Sequence, residues 1–214
     1  LYNQTGQSVY QGLWEVGTRS GNGTAWLEDG SIYSGNWVDD YPDGKGTYLF
    51  PNGTEYEGGF IRGKKHGQGI FKEADGFVSY DGEWKDGQRF GKGRVNKRDS
   101  SSYDGDWLDG KPHGNGMFTY PDGRVYTGTM KQGLRQGLGE LRRSDGSIAY
   151  EGEWDRNLRH GKGKAYSASG LIKFDGDFYE GYQSGTGSEY RDDGTLYYQG
   201  CLLYTSDAAD ESTC

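Results

Sequence analysis

The three histidines are the first residues to consider for chemistry, because imidazole is a common metal ligand and general base. His66, His113 and His160 each precede the first glycine of a Gly-x-Gly pair, and they recur at a constant interval. If each interval holds two hairpins, the strand spacing of ~4.8 Å separates neighbouring histidines by roughly 20 Å. Ligands of one metal ion must lie within a few ångströms of it. A three-histidine site within one chain is excluded, and we expect no metal and no cofactor.

Carboxylates are the second candidate group. They flank glycines that follow an aromatic residue, at Asp81, Glu83, Asp104, Asp106, Glu151, Glu153, Asp175 and Asp177. A catalytic acid/base pair needs two carboxyl groups in different environments, and here one environment recurs. The pattern therefore indicates a solvated face and no catalytic residues.

The Gly-x-Gly pairs are the third candidate, because glycine-rich loops can hold phosphates. None of them continues into the dinucleotide-binding form, and the chain contains no P-loop motif. We therefore expect no nucleotide site and a segment that is not an enzyme.

All of these residues belong to one repeat. An aromatic-x-Gly-x-aromatic segment, as in Tyr80-Asp81-Gly82-Glu83-Trp84, is followed by a Gly-x-Gly pair, here Gly91 and Gly93. The segment begins at Tyr10, Tyr33, Tyr56, Tyr80, Tyr103, Tyr126, Tyr150 and Phe174, with a further start at Tyr198. The distance from the first aromatic residue to the first glycine of the pair is always 11 residues, and the distance onward to the next repeat is 12 or 13. A fixed period of this size indicates a repeat array.

Each repeat reads as a β-hairpin. Asp-Gly or Asn-Gly follows the glycine pair in most copies, which suits turns that need positive φ. The variable residue then falls between this turn and the next aromatic residue, where a β-bulge would absorb it. Strand alternation puts Tyr80, Gly82 and Trp84 on one face and, on the return strand, Gly91, Gly93 and Val95 on that same face. We expect an all-β, elongated single-layer antiparallel sheet of tandem hairpins.

The pattern Tyr-x-Gly-x-Trp, Gly-x-Gly, Asp-Gly resembles the MORN (membrane occupation and recognition nexus) repeat across residues 1–200. The departures are Phe60, Met130 and Phe178 in place of Trp, Phe174 in place of Tyr, and Asp40 and Asn157 in place of a loop glycine. The resemblance implies a scaffold, dimerising or protein-binding module.

Both ends of the chain depart from the repeat. Thr5-Gly6 occupies a turn position, so Leu1 to Gln4 would end an incomplete hairpin. Residues 201–214 do not continue the repeat and resemble translated sequencing-adapter read-through, so we expect 1–200 to be the array, truncated at both ends, and 201–214 a non-native tail. Both cysteines, Cys201 and Cys214, lie in this tail.

Composition supports a repeat array. Glycine accounts for 40 of 214 residues, apolar residues for 31% and aromatic residues for 15%. A compact globule would have more aliphatic residues, and a disordered chain fewer aromatic ones. The formal net charge is −8, or −5 without the three acids of the tail, which argues against nucleic acid as a partner.

Aromatic side chains on a rigid frame favour protein binding, because they offer large contact areas at low entropic cost. We expect a partner helix or extended peptide in a groove lined by Trp37, Tyr56, Phe60, Tyr80, Trp84, Tyr103 and Trp107. The alternative is that these rings only pack the sheet internally. Self-association into a homodimer through open sheet edges is a further expectation.

Two other functions stay open. The resemblance implies that such arrays also serve as accessory segments of SET-domain methyltransferases and phosphatidylinositol phosphate kinases. Basic residues beside the fixed-length connection could instead form a stripe that contacts acidic phospholipids, as in junctophilins: Lys64, Lys65, Lys92, Lys111, Arg135, Arg159 and Lys162. The expected location is cytoplasmic, with cytoskeletal or membrane association.

Overall fold

The chain is an all-β protein, as its sequence predicts. A computed structural model describes residues 9–202, and every regular element in that range is a β-strand. The 17 strands form one open antiparallel sheet. Within these residues there is no helix of the length and apolarity that crossing a bilayer requires. The predictions for Leu1 to Gln4, for Thr5-Gly6 and for most of the 201–214 tail lie outside the described residues.

The strands divide between two compact units. The first unit contains residues 9–97 together with 106–111. Its complete strands are β1 (Tyr10–Glu15), β2 (Thr18–Trp26), β3 (Ile32–Val38), β4 (Tyr41–Leu49), β5 (Glu55–Ile61), β6 (Lys64–Lys72), β7 (Val78–Lys85) and β8 (Gln88–Asn96). From β1 to β8, each strand pairs antiparallel with the next strand of the chain.

The second unit contains residues 98–105 together with 112–202. The boundary runs through β9 (Ser102–Leu108) and the start of β10 (Lys111–Thr119). The remaining strands are β11 (Val125–Lys131), β12 (Leu134–Arg142), β13 (Ile148–Asp155), β14 (Leu158–Tyr166), β15 (Ile172–Tyr179), β16 (Tyr182–Tyr190) and β17 (Leu196–Leu202). Cys201 and Leu202, the first residues of the predicted tail, pair with Thr186 and Gly185 at the end of β17.

The variable residue of the repeat is absorbed as predicted. Where the spacing between repeats is one residue longer, the register shifts between the turn and the next aromatic residue. Phe71 pairs with Tyr80 but Lys72 pairs with Val78, so Ser79 has no opposite residue. The same shift occurs in the pairs β12–β13, β14–β15 and β16–β17, and it is absent from β2–β3, β4–β5 and β10–β11. Each bulge keeps the following aromatic residue on the same face.

A second bulge, within the hairpins themselves, was not predicted. Gly82 pairs with Gly93 and Trp84 pairs with Arg89, which leaves more residues on β8 than on β7 between these pairs. Gly91 lies in this bulge with φ of 60°, and a Cβ placed on it would meet the Glu83 side chain at 2.7 Å. The expectation that Gly91 shares the face of Gly93 is therefore wrong, because the left-handed residue reverses the alternation of faces.

The second turn of the repeat has the predicted chemistry. Gly30 has φ of 86°, and the Asp29 carboxylate accepts a hydrogen bond of 2.9 Å from the backbone N–H of Ser31. The same contact is made by Asn52, Asp75, Asp122, Asp145 and Asp193. Asp-Gly is favoured because the side chain closes the turn while glycine accepts positive φ without strain.

The core of the sheet lies on the face that carries Tyr80 and Trp84, called here the aromatic face. The opposite face, which carries Asp81 and Glu83, is called the polar face. The first aromatic residue of each hairpin is almost completely buried, with exposures between 0% and 3% from Tyr10 to Phe174. A Cβ on Gly82 would lie 2.4 Å from Gly93 Cα, 2.6 Å from Lys92 O and 2.8 Å from Tyr80 Oη. The strands can approach the ring this closely only because both residues are glycine.

The variant Gly82→Ala should therefore be strongly destabilised. Its methyl group would displace backbone and a buried ring, and we expect a loss on the order of 3 kcal/mol. The matched control is Gly76→Asn, since Gly76 has φ of 84° and nothing within 4 Å of its Cβ position, and asparagine tolerates this backbone conformation. Urea unfolding followed by circular dichroism measures both, and equal midpoints for the two variants would contradict the packing described here.

Candidate functional site

The seven residues of the predicted groove lie in the core of the sheet. Their exposures run from 0% for Tyr56 and Tyr80 to 7% for Trp84, and the others fall between them. Because the rings pack against the chain itself, a partner would first meet the residues beside and above them. Binding of a partner by Trp37, Tyr56, Phe60, Tyr80, Trp84, Tyr103 and Trp107 stays a prediction.

Each tyrosine is held by its own hairpin. The Tyr80 hydroxyl donates a hydrogen bond of 3.0 Å to the backbone oxygen of Glu83, three residues later. Equivalent bonds run from Tyr33, Tyr56, Tyr126 and Tyr150. A buried hydroxyl without a partner would cost free energy, so this bond allows a polar ring in the core. It also fixes the direction of the ring over the glycines.

The second aromatic residue links neighbouring repeats. Trp84 lies edge-on to Tyr80 in its own hairpin at 5.1 Å and to Tyr56 in the preceding hairpin at 5.3 Å. Its indole N–H donates a hydrogen bond of 3.0 Å to Gly69 O of the preceding hairpin. Edge-to-face pairs of this kind contribute about 0.5–1.5 kcal/mol beyond area burial. Such contacts alternate within and between hairpins from Tyr10 to Trp107, so the rings form a continuous ladder within the first unit.

Cationic side chains cover this ladder. The guanidinium of Arg19 lies 4.1 Å from the Trp37 ring centroid, and Lys65 Nζ lies 4.4 Å from that of Trp84. Arg89 lies over Tyr80 and Trp107, Arg135 over Trp154, and Arg159 over Tyr150. Each cation gains from the electron-rich ring face. Burial lowers the pKa of Lys65, and the neighbouring charge of Arg89 adds to that effect.

The basic residues of the predicted stripe divide between the two faces of the sheet. Lys65, Arg135 and Arg159 lie on the aromatic face. Lys92 and Lys162 instead pair with Asp106 and Asp177 at 2.6 Å and 2.7 Å, and these acids share the polar face. The residues separate because successive residues of a strand face opposite sides, and the bulge at the first glycine changes which side comes next.

Sequence reasoning missed a cluster of part-exposed aromatic residues beside Lys65. The rings of Tyr48 and Phe50 are 4.6 Å apart, and those of Phe50 and Phe71 are 5.9 Å apart. Lys65 Nζ lies 5.7 Å from Phe50 and 5.0 Å from Phe71. Tyr48, Phe71 and Val95 hold the same repeat position, opposite the first aromatic residue of their hairpins. Phe50 follows two residues after Tyr48 on the same face. Strand alternation could have found this cluster.

The polar face offers no metal site in the part of the chain that the structure describes. No three His, Cys, Asp or Glu side chains converge within residues 9–202. The His160 ring lies 5.5 Å from the Tyr179 ring.

The Glu83 and Glu153 carboxylates accept hydrogen bonds from the backbone N–H groups of Lys92 and Lys162. The acids of this face thus brace the second bulge of the hairpin.

Comparison with known protein families gives the class of this structure. The model of the MORN repeat matches residues 10–32, 33–55, 56–77, 80–95, 103–123, 126–148, 150–172 and 174–196. These segments cover most of the chain and coincide with the hairpins described above. The chain belongs to the MORN repeat family. A search of curated proteins gives no match.

The buried tyrosines make stability depend on alkaline pH. Burial raises the pKa of Tyr33, Tyr80 and Tyr126 to about 12. The unfolded chain loses these protons near pH ~10, so the free energy of unfolding should fall above that pH, by roughly 1.4 kcal/mol per pH unit for each tyrosine. This contribution is complete below pH ~10 and is lost as the pH rises toward the folded pKa.

Urea unfolding at several alkaline pH values, with phenolate absorbance recorded in parallel, measures this effect. Tyr80→Phe is the matched variant, because Phe174 occupies the same position in another hairpin, and its pH dependence should be weaker. Full phenolate absorbance near pH ~10 in a chain that is still folded would contradict the burial of these hydroxyls.

Proposed function

We propose that this chain is a non-catalytic scaffold that binds a protein partner over its aromatic face. The observation that carries the proposal is the order already present on that face. Tyrosines, tryptophans and covering cations are held by hydrogen bonds, ring contacts and cation–π contacts before any partner arrives. A surface ordered in advance loses little entropy on binding, which favours affinity.

The part-exposed residues of this face have the chemistry of a protein interface. Tyr48, Phe50 and Phe71 offer apolar area next to the cation of Lys65. Aromatic side chains and arginine are enriched where proteins bind each other, and Arg89 lies over Tyr80 on the same face. The polar face differs, since acids such as Glu57 already pair with neighbours such as Lys72 at 2.9 Å. A helix or an extended peptide on the aromatic face is therefore the partner we favour.

The other expected functions gain less support. Contact with acidic phospholipid was predicted from a stripe of basic residues, and these residues divide between two faces. Self-association through sheet edges and service as the accessory segment of an enzyme stay predictions. Nothing in the geometry of residues 9–202 favours either of them over binding of a partner by the aromatic face.

Paired variants on opposite faces of the same two strands test the proposal. Tyr48→Ser with Phe71→Ser changes the aromatic face. Leu49→Ser with Ile70→Ser changes adjacent residues whose alternation puts them on the polar face. Cross-linking mass spectrometry in cells of the source organism would compare both with the unmodified chain. We expect at least tenfold fewer partner cross-links for the first pair and little change for the second.

Circular dichroism should show that both double variants remain folded. Equal loss of cross-links for the two pairs, or retention by both, would contradict binding on the aromatic face.

A further inference from the structure

Two turn residues reveal what the cations of the aromatic face can bind. The Asp40 Oδ1 accepts hydrogen bonds of 2.9 Å from both the backbone N–H and the Nε of Arg19. Its backbone oxygen accepts a bond of 2.8 Å from Arg19 Nη2. Asn157 contacts Arg135 in the same way, with Oδ1 2.9 Å from the backbone nitrogen and the backbone oxygen 2.6 Å from Nη2. A side-chain oxygen from the next hairpin thus satisfies each of these arginines.

In other hairpins, glycine occupies the turn position that Asp40 and Asn157 hold. The turn N–H of Asp40 donates to Arg19 O at 3.3 Å, and that of Asn157 donates to Arg135 O at 3.1 Å. Gly87 donates to Lys65 O at 2.9 Å and Gly110 to Arg89 O at 3.0 Å. The φ values of the four turn residues lie between 67° and 87°. The backbone is therefore equivalent in all four turns, and only the side-chain oxygen differs.

Within residues 9–202, Lys65 and Arg89 consequently receive no such side-chain oxygen from their turns. Within residues 9–202, neither side chain has a carboxylate at salt-bridge distance or a hydrogen-bond acceptor. Both are half-buried and stacked on rings, with Lys65 Nζ within 5.7 Å of four ring centroids. A shallow pocket lies against both cations, lined also by Phe71, Trp84 and Gly110. A partly desolvated cation gains more from an anion than a fully hydrated one does.

We propose that Lys65 and Arg89 form a docking site for the carboxylates of an acidic peptide, with one carboxylate binding Arg89 as Asp40 binds Arg19 and the other meeting Lys65 Nζ. This inference rests on the proposed function, because it names the chemistry of the partner on the aromatic face. A peptide is favoured over a phosphate because the ligand already seen in this geometry is a carboxylate of a polypeptide. Hydrogen bonding to the Arg19 backbone and side chain holds the pKa of Asp40 below its usual range, so this geometry stabilises the ionised carboxylate.

Spacing defines the peptide further. Lys65 and Arg89 occupy β6 and β8, two strands apart, which is about 9.6 Å. An extended chain in the polyproline II conformation rises about 3.1 Å per residue with three residues per turn, so every third side chain lies on one side about 9.3 Å apart. Acidic residues at every third position of such a segment would meet both cations at once.

An acidic residue at the rim of the site, Asp109, does not prevent a carboxylate from binding. Asp109 is exposed and precedes Gly110 in its turn. Asp39 occupies the same turn position beside the Arg19–Asp40 pair, with φ of 48° against 50° for Asp109. The Asp40 carboxylate binds Arg19 in spite of Asp39, so Asp109 leaves room for a carboxylate at Arg89.

The turn glycines offer a direct test. The double variant Gly87→Asn with Gly110→Asn copies Asn157 and should supply the oxygen from within the chain. The matched control is Gly63→Asn, because Gly63 donates to Pro42 O and faces no cation. The probe is a fluorescein-labelled peptide of four Glu-Pro-Ser triplets, and its Gln-Pro-Ser counterpart is the charge control. Fluorescence anisotropy at low salt measures the dissociation constants with the full chain.

We expect the Glu peptide to bind the unmodified chain at least tenfold more tightly than the Gln peptide. The Gly87→Asn, Gly110→Asn variant should weaken the Glu peptide at least tenfold, as should Arg89→Gln, while Gly63→Asn should bind like the unmodified chain. Equal binding of both peptides, or full binding by the double asparagine variant, would overturn the inference. So would phosphatidylserine vesicles or inorganic phosphate binding these cations when the Glu peptide does not.

The same variants separate this inference from the proposed function. If Tyr48→Ser with Phe71→Ser loses the cellular partner while the double asparagine variant keeps it, binding on the aromatic face stands and the carboxylate site is wrong. If the Glu peptide binds as expected but neither variant changes the cellular partner, the carboxylate site stands and the proposed function is wrong.

Discussion

A tyrosine ring resting on two opposed glycines is the contact on which the rest of this structure depends. The Tyr80 ring occupies the space that side chains would take at Gly82 and Gly93, and the pattern recurs along the chain. One sheet without a second layer has no other place to bury a ring. Because backbone replaces the second layer, each hairpin carries its own small core, and nearest-neighbour contacts between rings join the hairpins.

This packing determines which residues are available to a partner. The tyrosines and tryptophans are the core, and the cations that cover them form the next layer of the same face. Arg19 and Arg135 are satisfied by turn residues of the following hairpin, whereas Lys65 and Arg89 face glycine turns. Repeats that share the same fold thus differ in whether a turn side chain already binds their cation. This difference makes the binding properties of the aromatic face vary from repeat to repeat.

The period of the sequence was sufficient to predict the hairpins, the turns and the bulge that absorbs Ser79, because these depend on local spacing and turn chemistry. The period did not predict the bulge at Gly91, and strand alternation therefore assigned Gly91 to the wrong face. The left-handed conformation of Gly91 changes which face its neighbours lie on. The pairing of Trp84 with Arg89 was recoverable, since the two residues are equidistant from the Asp86-Gly87 turn. The partners of individual cations could not be predicted from the sequence, because they depend on contacts between one hairpin and the next.

The flip rate of the tyrosine rings is the measurement that tests this account most directly. With ¹³C label at the ε positions, the account predicts two separate resonances for Tyr56 and for Tyr80, because a ring pressed on two backbones can turn only when the strands part. One sharp, averaged resonance for each ring at room temperature would contradict it. The rings would then turn freely, and the aromatic face would not be ordered before a partner binds.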